Sequence, residues 1–278
     1  MVETDSKQQT VGIVGLGLIG ASLAMALKNS YRIAGCSRNK ATEQYALQHG
    51  MIDEIRPLDK MRGVSCVAVC TPLHSLCETV RDAFDAVGDS AVITDVGSVK
   101  GILEGAKGRV VGGHPMAGNE HSGIHAARAQ LFAGATYCVV PYKNSREEDV
   151  AFVEQMARAA SAQPLRLSAA AHDRLAAAFS HMPHMAAYAL TQSAIESEVN
   201  IAGSGFMDST RIAGSDPAFW TEVFRLNRDN VLQALDGYLN ELLFLRALLA
   251  QEKHDALQAR LTQAQQKRKT LEKSKRKK

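Results

Sequence analysis

The stretch TVGIVGLGLIGASLAMAL, residues 10–27, decides the fold. Its first half is β-branched and reads as a strand. Its second half carries small and leucine side chains at helical spacing, and a glycine turn joins the two. Gly15, Gly17 and Gly20 form a G-x-G-x-x-G pattern at that junction, the context in which the pattern carries weight. The first glycine permits the tight turn. The second lets an anion approach the backbone of Gly17, Leu18 and Ile19, and the third lets helix and strand pack closely. A pyrophosphate there would meet the positive end of the helix, so a dinucleotide cofactor is expected.

Outward from this turn, short β-branched runs alternate with helical patterns. Strands are expected at 10–15, 32–37, 64–70, 91–96, 109–113, 136–141 and 164–168. Such alternation implies βαβ units and a parallel sheet. After residue 168 the strands stop, and Ala/Leu-rich helical periodicity runs to about residue 265, broken by the Gly-rich passage IAGSGFMDSTRIAGSDP at 201–217. The expected fold is therefore an α/β Rossmann-type N-terminal domain followed by an all-α C-terminal dimerisation domain. The boundaries are a tail at 1–9, a dinucleotide-binding domain at 10–168, a helical domain at 169–265, and a basic, disordered tail at 266–278. The helix opening near Ala169 should pack directly on the first domain, with the active site in the crease. The apolar stripe along 231–249 calls for burial against a second subunit, hence a homodimer.

Composition agrees with a soluble globular protein: 278 residues suffice for about two domains, and 46% apolar with 22% charged residues makes a disordered chain unexpected. The net charge of +3 comes from the end of the chain. Residues 266–278 hold eight Lys/Arg and one acid, leaving residues 1–265 at −4. No nucleic-acid motif accompanies that tail, so neither nucleic acid nor membrane is expected as a partner. Five cysteines (Cys36, Cys66, Cys70, Cys77, Cys138) make no C-x-x-C pair, which fits the reducing cytoplasm. The uncharged run Val11–Leu27 lacks the basic flank of a signal peptide.

At the end of the second strand, an enzyme using NAD places an acid against the adenosine ribose. This chain instead reads Gly35-Cys36-Ser37-Arg38-Asn39. Ser37 and the Arg38 guanidinium suit a 2′-phosphate, so NADP is expected, with NAD as the alternative. Thr71 and Pro72, after the third strand, lie where the nicotinamide half should sit.

Past the fifth strand comes Gly112-Gly113-His114-Pro115-Met116-Ala117-Gly118. This places a histidine on a constrained backbone at the cofactor edge. The helical part supplies Ser180, His181, Pro183 and His184. Spacing puts Ser180 and His184 on one helix face, and Pro183 should disturb the helix there. The two histidines lack nearby carboxylates, so no metal is expected. Arg211, in the Gly-rich passage with Ser215 and Trp220, suits a bidentate grip on a substrate carboxylate, although Asp208 offers it an ordinary local ion pair.

Taken in order, GLGLIGASLA, CTP, DVGSVK, GGHPMAG, SHMPH and DSTRIAGSDP resemble the prephenate and arogenate dehydrogenases of tyrosine biosynthesis, over residues 10 to 250. The resemblance implies a small cyclohexadienyl substrate bearing a ring carboxylate. His114 would draw on the ring hydroxyl as hydride leaves the same carbon, and carbon dioxide would follow. The implied base is a neutral imidazole titrating near its ordinary value. Ser98 would orient His114 or the hydroxyl, and Arg211 would hold carboxylate with help from His184 and Ser180. Ser215 and Trp220 would line the pocket. The paired histidines favour prephenate; arogenate needs an acid near the side-chain amine, for which Asp208, Asp216 and Glu222 are candidates. Two rivals remain. One is a hydroxy-acid or imine dehydrogenase, weakened because 169–204 holds no lysine. The other is an NADP-binding redox sensor without turnover.

Overall fold

The structure is a computed structural model and describes residues 9–118, 122–194 and 201–276. Tail residues 1–8 and 277–278 lie outside the described residues. Eight strands form one sheet: β1 (Thr10–Val14), β2 (Arg32–Cys36), β3 (Glu54–Ile55), β4 (Cys66–Val69), β5 (Val92–Asp95), β6 (Val110–Pro115), β7 (Thr136–Pro141) and β8 (Gln163–Arg166). Their spatial order is β3-β2-β1-β4-β5-β6-β7-β8. The first six follow the order of doubly wound dinucleotide folds. All these pairs are parallel, whereas β7 runs antiparallel to β6, and β8 is parallel to β7. The sheet is parallel as expected, with β6–β7 as the one antiparallel pair among the described residues. The short β3 also escaped the sequence pattern, since two residues carry no periodicity.

Every residue of β4 and β5 is buried, as in a sheet covered on both faces. One face carries α1 (Leu18–Leu27) and α4 (Glu147–Ala159); the other carries α3 (Leu73–Val87), whose Leu73, Leu76, Val80, Ala83 and Val87 form its inner stripe. Between β2 and β3 lies α2 (Lys40–Gln48), capped by the Asn39 side chain.

After β8 the chain enters α5 (Ala169–Ala176), then a wide π-helical turn at Ala177–His181, then α6 (Met182–Gln192). The Met182 N–H bonds back five residues to the Ala177 carbonyl. Pro183 has no N–H and its ring crowds the preceding turn, which accounts for the widening. Next come α7 (Ser204–Thr210), a 3₁₀ turn at Arg211–Gly214 and α8 (Pro217–Leu226). The change from sheet to helices falls at residue 169, yet α5–α8 pack into one compact unit with the sheet, ending at Arg228.

A smaller unit begins at Asp229. It holds most of α9 (Arg228–Ala250) and all of α10 (His254–Arg276). Within it Arg260 pairs with Glu241 and its guanidinium lies 5.7 Å over the Phe244 ring. Leu239, Leu242, Leu243, Phe244 and Leu249 of α9 are exposed. The charge-based expectation of disorder from residue 266 is corrected, because α10 continues to Arg276. Its lysines, arginines and glutamines are good helix formers, and Arg268 bonds Glu272 one turn on at 3.0 Å. No described helix is long and apolar enough to cross a membrane.

Candidate active site

The glycine turn has the geometry a dinucleotide requires. Gly15 sits at φ +99°, and a Cβ there would lie 2.6 Å from the Cys70 carbonyl and 3.1 Å from the Thr71 nitrogen. A Cβ on Gly20 would lie 1.9 Å from the Gly15 carbonyl, so helix and turn touch through that hydrogen atom. Gly17 differs: nothing lies within 4 Å of its missing Cβ, and α1 has no side-chain cap at its start. Open space therefore stands over the uncapped amides of Gly17, Leu18 and Ile19, and these residues fit a pyrophosphate. Thr71 and Pro72 stand beside this turn at the end of β4, with Pro72 opening α3.

At the end of β2, the Ser37 N–H donates to Glu43 at 3.0 Å, and Lys40 pairs with the other oxygen of that carboxylate, also at 3.0 Å. Glu43 is buried and committed to the loop. Sequence reasoning missed it because it lies a helical turn beyond the strand. Arg38 is exposed, with no protein partner among the described residues.

The last turn of β6 carries His114. Across the strand pair, Gly113 faces Val139 and His114 faces Cys138. A side chain at Gly113 would meet the Asp95 carbonyl at 2.4 Å, which explains the glycine before the histidine. Lys100, fully buried, pairs with the buried Asp95 and donates to the Gly113 carbonyl at 2.6 Å. Asp95 also accepts the Gly97 N–H at 2.8 Å and the Gly113 N–H at 3.2 Å. Every side chain in this knot is satisfied, as a buried ion pair must be. The β5 loop and the backbone under His114 are thereby locked together.

The partner of His114 is a second histidine from the helices. His114 Nδ1 lies 2.8 Å from His172 Nε2, and His172 Nδ1 lies 2.7 Å from Asp173 Oδ1. Asp173 in turn accepts the backbone N–H groups of Lys100 and Gly101, both at 2.8 Å. Burial would raise its carboxyl, but the bonds from His172 and from these two amides outweigh that and hold it below the usual range. The His114 ring is nearly fully buried. Desolvation first, then the charges of His172, Lys100 and His181, pushes its pKa well below the ordinary value. An imidazole titrating near its ordinary value was expected, and burial corrects that. Ser98, half-buried in the β5 loop, makes no hydrogen bond to His114.

A second cluster gathers around His184. Its Nδ1 lies 2.8 Å from the Ser180 carbonyl, and its ring stacks on Trp220 at 3.5 Å between centroids. Burial lowers its pKa, the Ser180 bond opposes, and the Arg211 charge lowers it further, which places Arg211 in its electrostatic reach. Donation of Nδ1–H to the carbonyl leaves Nε2 as an acceptor in the neutral ring. Tyr188 bonds the Ser215 carbonyl at 2.8 Å, tying the Gly-rich passage to α6. The structure thus groups Ser180, His184, Arg211, Ser215 and Trp220 around one helix. Trp220 both stacks on His184 and fills the core beside α3. Between the clusters lies His181, whose Nδ1 is 3.1 Å from the Asn227 amide nitrogen and whose buried Nε2 has no partner among the described residues. Burial lowers its pKa to about 4.

Sequence reasoning missed His172 and Asp173. The adjacent acid and imidazole in an alanine-rich helix start, AAAHDRLA at 169–176, were the available signal.

Comparison with known proteins agrees with this geometry. Residues 23–164 match the model described as prephenate dehydrogenase, nucleotide-binding domain, and residues 168–263 match prephenate dehydrogenase, dimerization domain. The chain belongs to the prephenate dehydrogenase family. Within it, the chain is similar to the prephenate dehydrogenase of Bacillus subtilis, 31% identical over 264 residues that cover 88% of this chain and 71% of the relative. Similarity to the cyclohexadienyl dehydrogenase of Zymomonas mobilis is 27% over 282 residues, or 94% and 95% of the two chains. Among solved structures, the A. aeolicus prephenate dehydrogenase in complex with hydroxyphenyl propionate and NAD+ aligns with a TM-score of 0.85 at 29% identity, covering 96% of this chain and 99% of that one. The Synechocystis arogenate dehydrogenase aligns at 0.83 and 29%, covering 95% and 100%. Like other members of the prephenate dehydrogenase family, the chain is an oxidoreductase with a pyridine-nucleotide fold.

Proposed function

We propose that this enzyme oxidatively decarboxylates prephenate to 4-hydroxyphenylpyruvate with NADP as its preferred cofactor. The observation that carries this reading is His114, held on β6 beyond the β5 edge with its Nδ1 engaged and its Nε2 without a protein partner among the described residues. A nicotinamide cofactor held at the glycine turn would supply the acceptor for the hydride that leaves the substrate carbon. His114 accepts the proton of the hydroxyl on that carbon, in a buried site that strengthens each hydrogen bond. Arg211 holds carboxylate through parallel hydrogen bonds, and His184 Nε2 accepts from a substrate donor beside it. Ser180, Ser215 and Trp220 shape that side of the pocket, and Ser98 lies near the hydroxyl. Thr71 and Pro72 border the nicotinamide half.

Prephenate is favoured over arogenate because two of the three candidate acids for an amine are already engaged. Asp216 caps α8 through the Ala218 N–H at 3.0 Å, and Glu222 pairs with Arg225 at 2.7 Å. NADP is favoured over NAD because Glu43 is committed to Ser37 and Lys40 while Arg38 is exposed at the ribose end. The apolar row on α9, in the region matched by the dimerization-domain model, fits a second copy of this chain. The free cysteines are compatible with a cytoplasmic location.

The test is absorbance of reduced cofactor with prephenate or arogenate and with NADP or NAD. The highest kcat/KM is expected for prephenate with NADP. Higher kcat/KM for arogenate, or for NAD, overturns the corresponding half of the proposal. No turnover with either substrate favours a cofactor-binding sensor.

A further inference from the structure

Asp173, His172 and His114 stand in line, and their surroundings restrict where the protons can be. Asp173 is met by two backbone N–H donors, so it is an ionised acceptor toward His172. His172 must therefore carry hydrogen on Nδ1, 2.7 Å from Asp173 Oδ1. One hydrogen then lies in the 2.8 Å gap between His172 Nε2 and His114 Nδ1. If His172 is neutral, that hydrogen belongs to His114 Nδ1, and His114 Nε2 is a bare lone pair. If His172 is an imidazolium, the hydrogen belongs to His172 Nε2, and His114 carries its own on Nε2. These two arrangements are the start and the end of the uptake of one proton.

Resting on the dehydrogenase reading above, we infer that His172 and Asp173 are positioning residues forming a proton relay behind His114. As the substrate O–H bond breaks, its proton bonds to His114 Nε2. The Nδ1–H bond of His114 breaks as that hydrogen bonds to His172 Nε2. Electrons leave with the hydride that the dehydrogenase reaction removes from carbon, so the relay carries protons alone. One positive charge appears, on His172, while His114 begins and ends neutral.

Electrostatics favours this destination. A cation on His114 would face Lys100 from the β5 loop and His181 from the helices, with Cys138 opposite on β7 and the Asp95 charge already paired to Lys100. A cation on His172 instead sits against the Asp173 carboxylate, which the Lys100 and Gly101 amides and the Asn227 bond to its backbone carbonyl hold in place. A buried imidazole that is reluctant to ionise can thus still take a proton from an alcohol. The acid limb of activity belongs to the His114–His172 pair, not to one ring.

The first test is 15N NMR of histidine-labelled, full-length, ligand-free enzyme at pH 8. Nδ1–H tautomers are expected at both His114 and His172; an Nε2–H tautomer at His114 beside a neutral His172 overturns the relay. The second test is the pH profile of His172→Gln and Asp173→Asn. Turnover should fall by about 10²-fold with KM and cofactor Kd nearly unchanged, because a proton-transfer path is lost. The acid limb of kcat/KM should move to lower pH, since a pair without its carboxylate, or His114 alone, is harder to protonate. Lower activity with an unmoved limb means a merely structural role and overturns the proposal. Should Asp173→Asn fail to fold for want of its amide contacts, His172→Gln carries the test, and wild-type activity and pH profile in that folded variant overturn it. Failure of the wild type to turn over either substrate would defeat the functional reading alone, because the tautomers are read without substrate.

Discussion

His114 and His184 lie in the same compact unit, both with pKa values lowered by burial, yet they are held in opposite ways. His114 is engaged by another buried side chain, which a carboxylate and two backbone amides fix in turn. His184 is half-buried, bonded to one carbonyl of its own helix and stacked on one indole. The first arrangement tolerates no movement, as transfer of a proton over less than 3 Å demands. The second, with one hydrogen bond and one ring contact, is the more adaptable of the two. The tightly held histidine meets the first turn of α5, and the loosely held one stands in the first turn of α6.

Breaking the rigid side should cost most. His114→Asn keeps shape and a hydrogen bond but loses the proposed base, and turnover should fall about 10²- to 10⁴-fold with cofactor binding nearly intact. Undiminished turnover would remove the histidine from the chemistry. On the adaptable side, Arg211→Ala should raise KM far more than it lowers kcat, by about 10- to 100-fold for one charge-assisted contact of about 1.5–3 kcal/mol. An unchanged KM would place the carboxylate grip elsewhere.

Two smaller effects sharpen the contrast. Gly17→Ala adds a methyl group in open space over α1, so thermal stability should hold while affinity for the pyridine nucleotide falls; Gly20→Ala meets the Gly15 carbonyl and should lower Tm as well. Equal Tm losses in both would contradict the open cradle. The weakest effect is on pH. Unfolded histidines take up protons near 6.5, whereas folded His181 waits until about 4. Between those values the unfolded state binds more protons, so stability rises with pH and is lost as pH falls. Melting curves should show a lower Tm at pH 5 than at pH 7, and His181→Gln should narrow that gap; a gap that stays the same would assign it to other groups.

The glycine turn and most strands were legible in the sequence because their signals are local: three glycines in six residues, or alternation over five. The direction of β7 was not, since period-two alternation is the same whichever way a strand runs. His114 could be found from its Gly-Gly-His-Pro setting. Its partner could not, because His172 follows 58 residues later and meets it only through the packing of α5. Glu43 and Lys100 were hidden for a related reason. Each is an ordinary charged residue in sequence, and only the fold shows Glu43 committed to the Ser37 amide and Lys40, and Lys100 to Asp95 and the Gly113 carbonyl.

The reversed strand explains how α5 reaches His114. Arg166 of β8 is level with Val139 of β7, which is level with Gly113 of β6. The chain therefore leaves the sheet abreast of His114. A slip of one residue in the β7–β8 ladder would turn over the side chains of β8 and displace the start of α5 by about 3.3 Å. That is longer than the bond between the two imidazoles. Strand registration two ladders away thus acts as a gauge block for the contact between His172 and His114, and exchange of the 142–168 segment between homologues should succeed only when its length is kept.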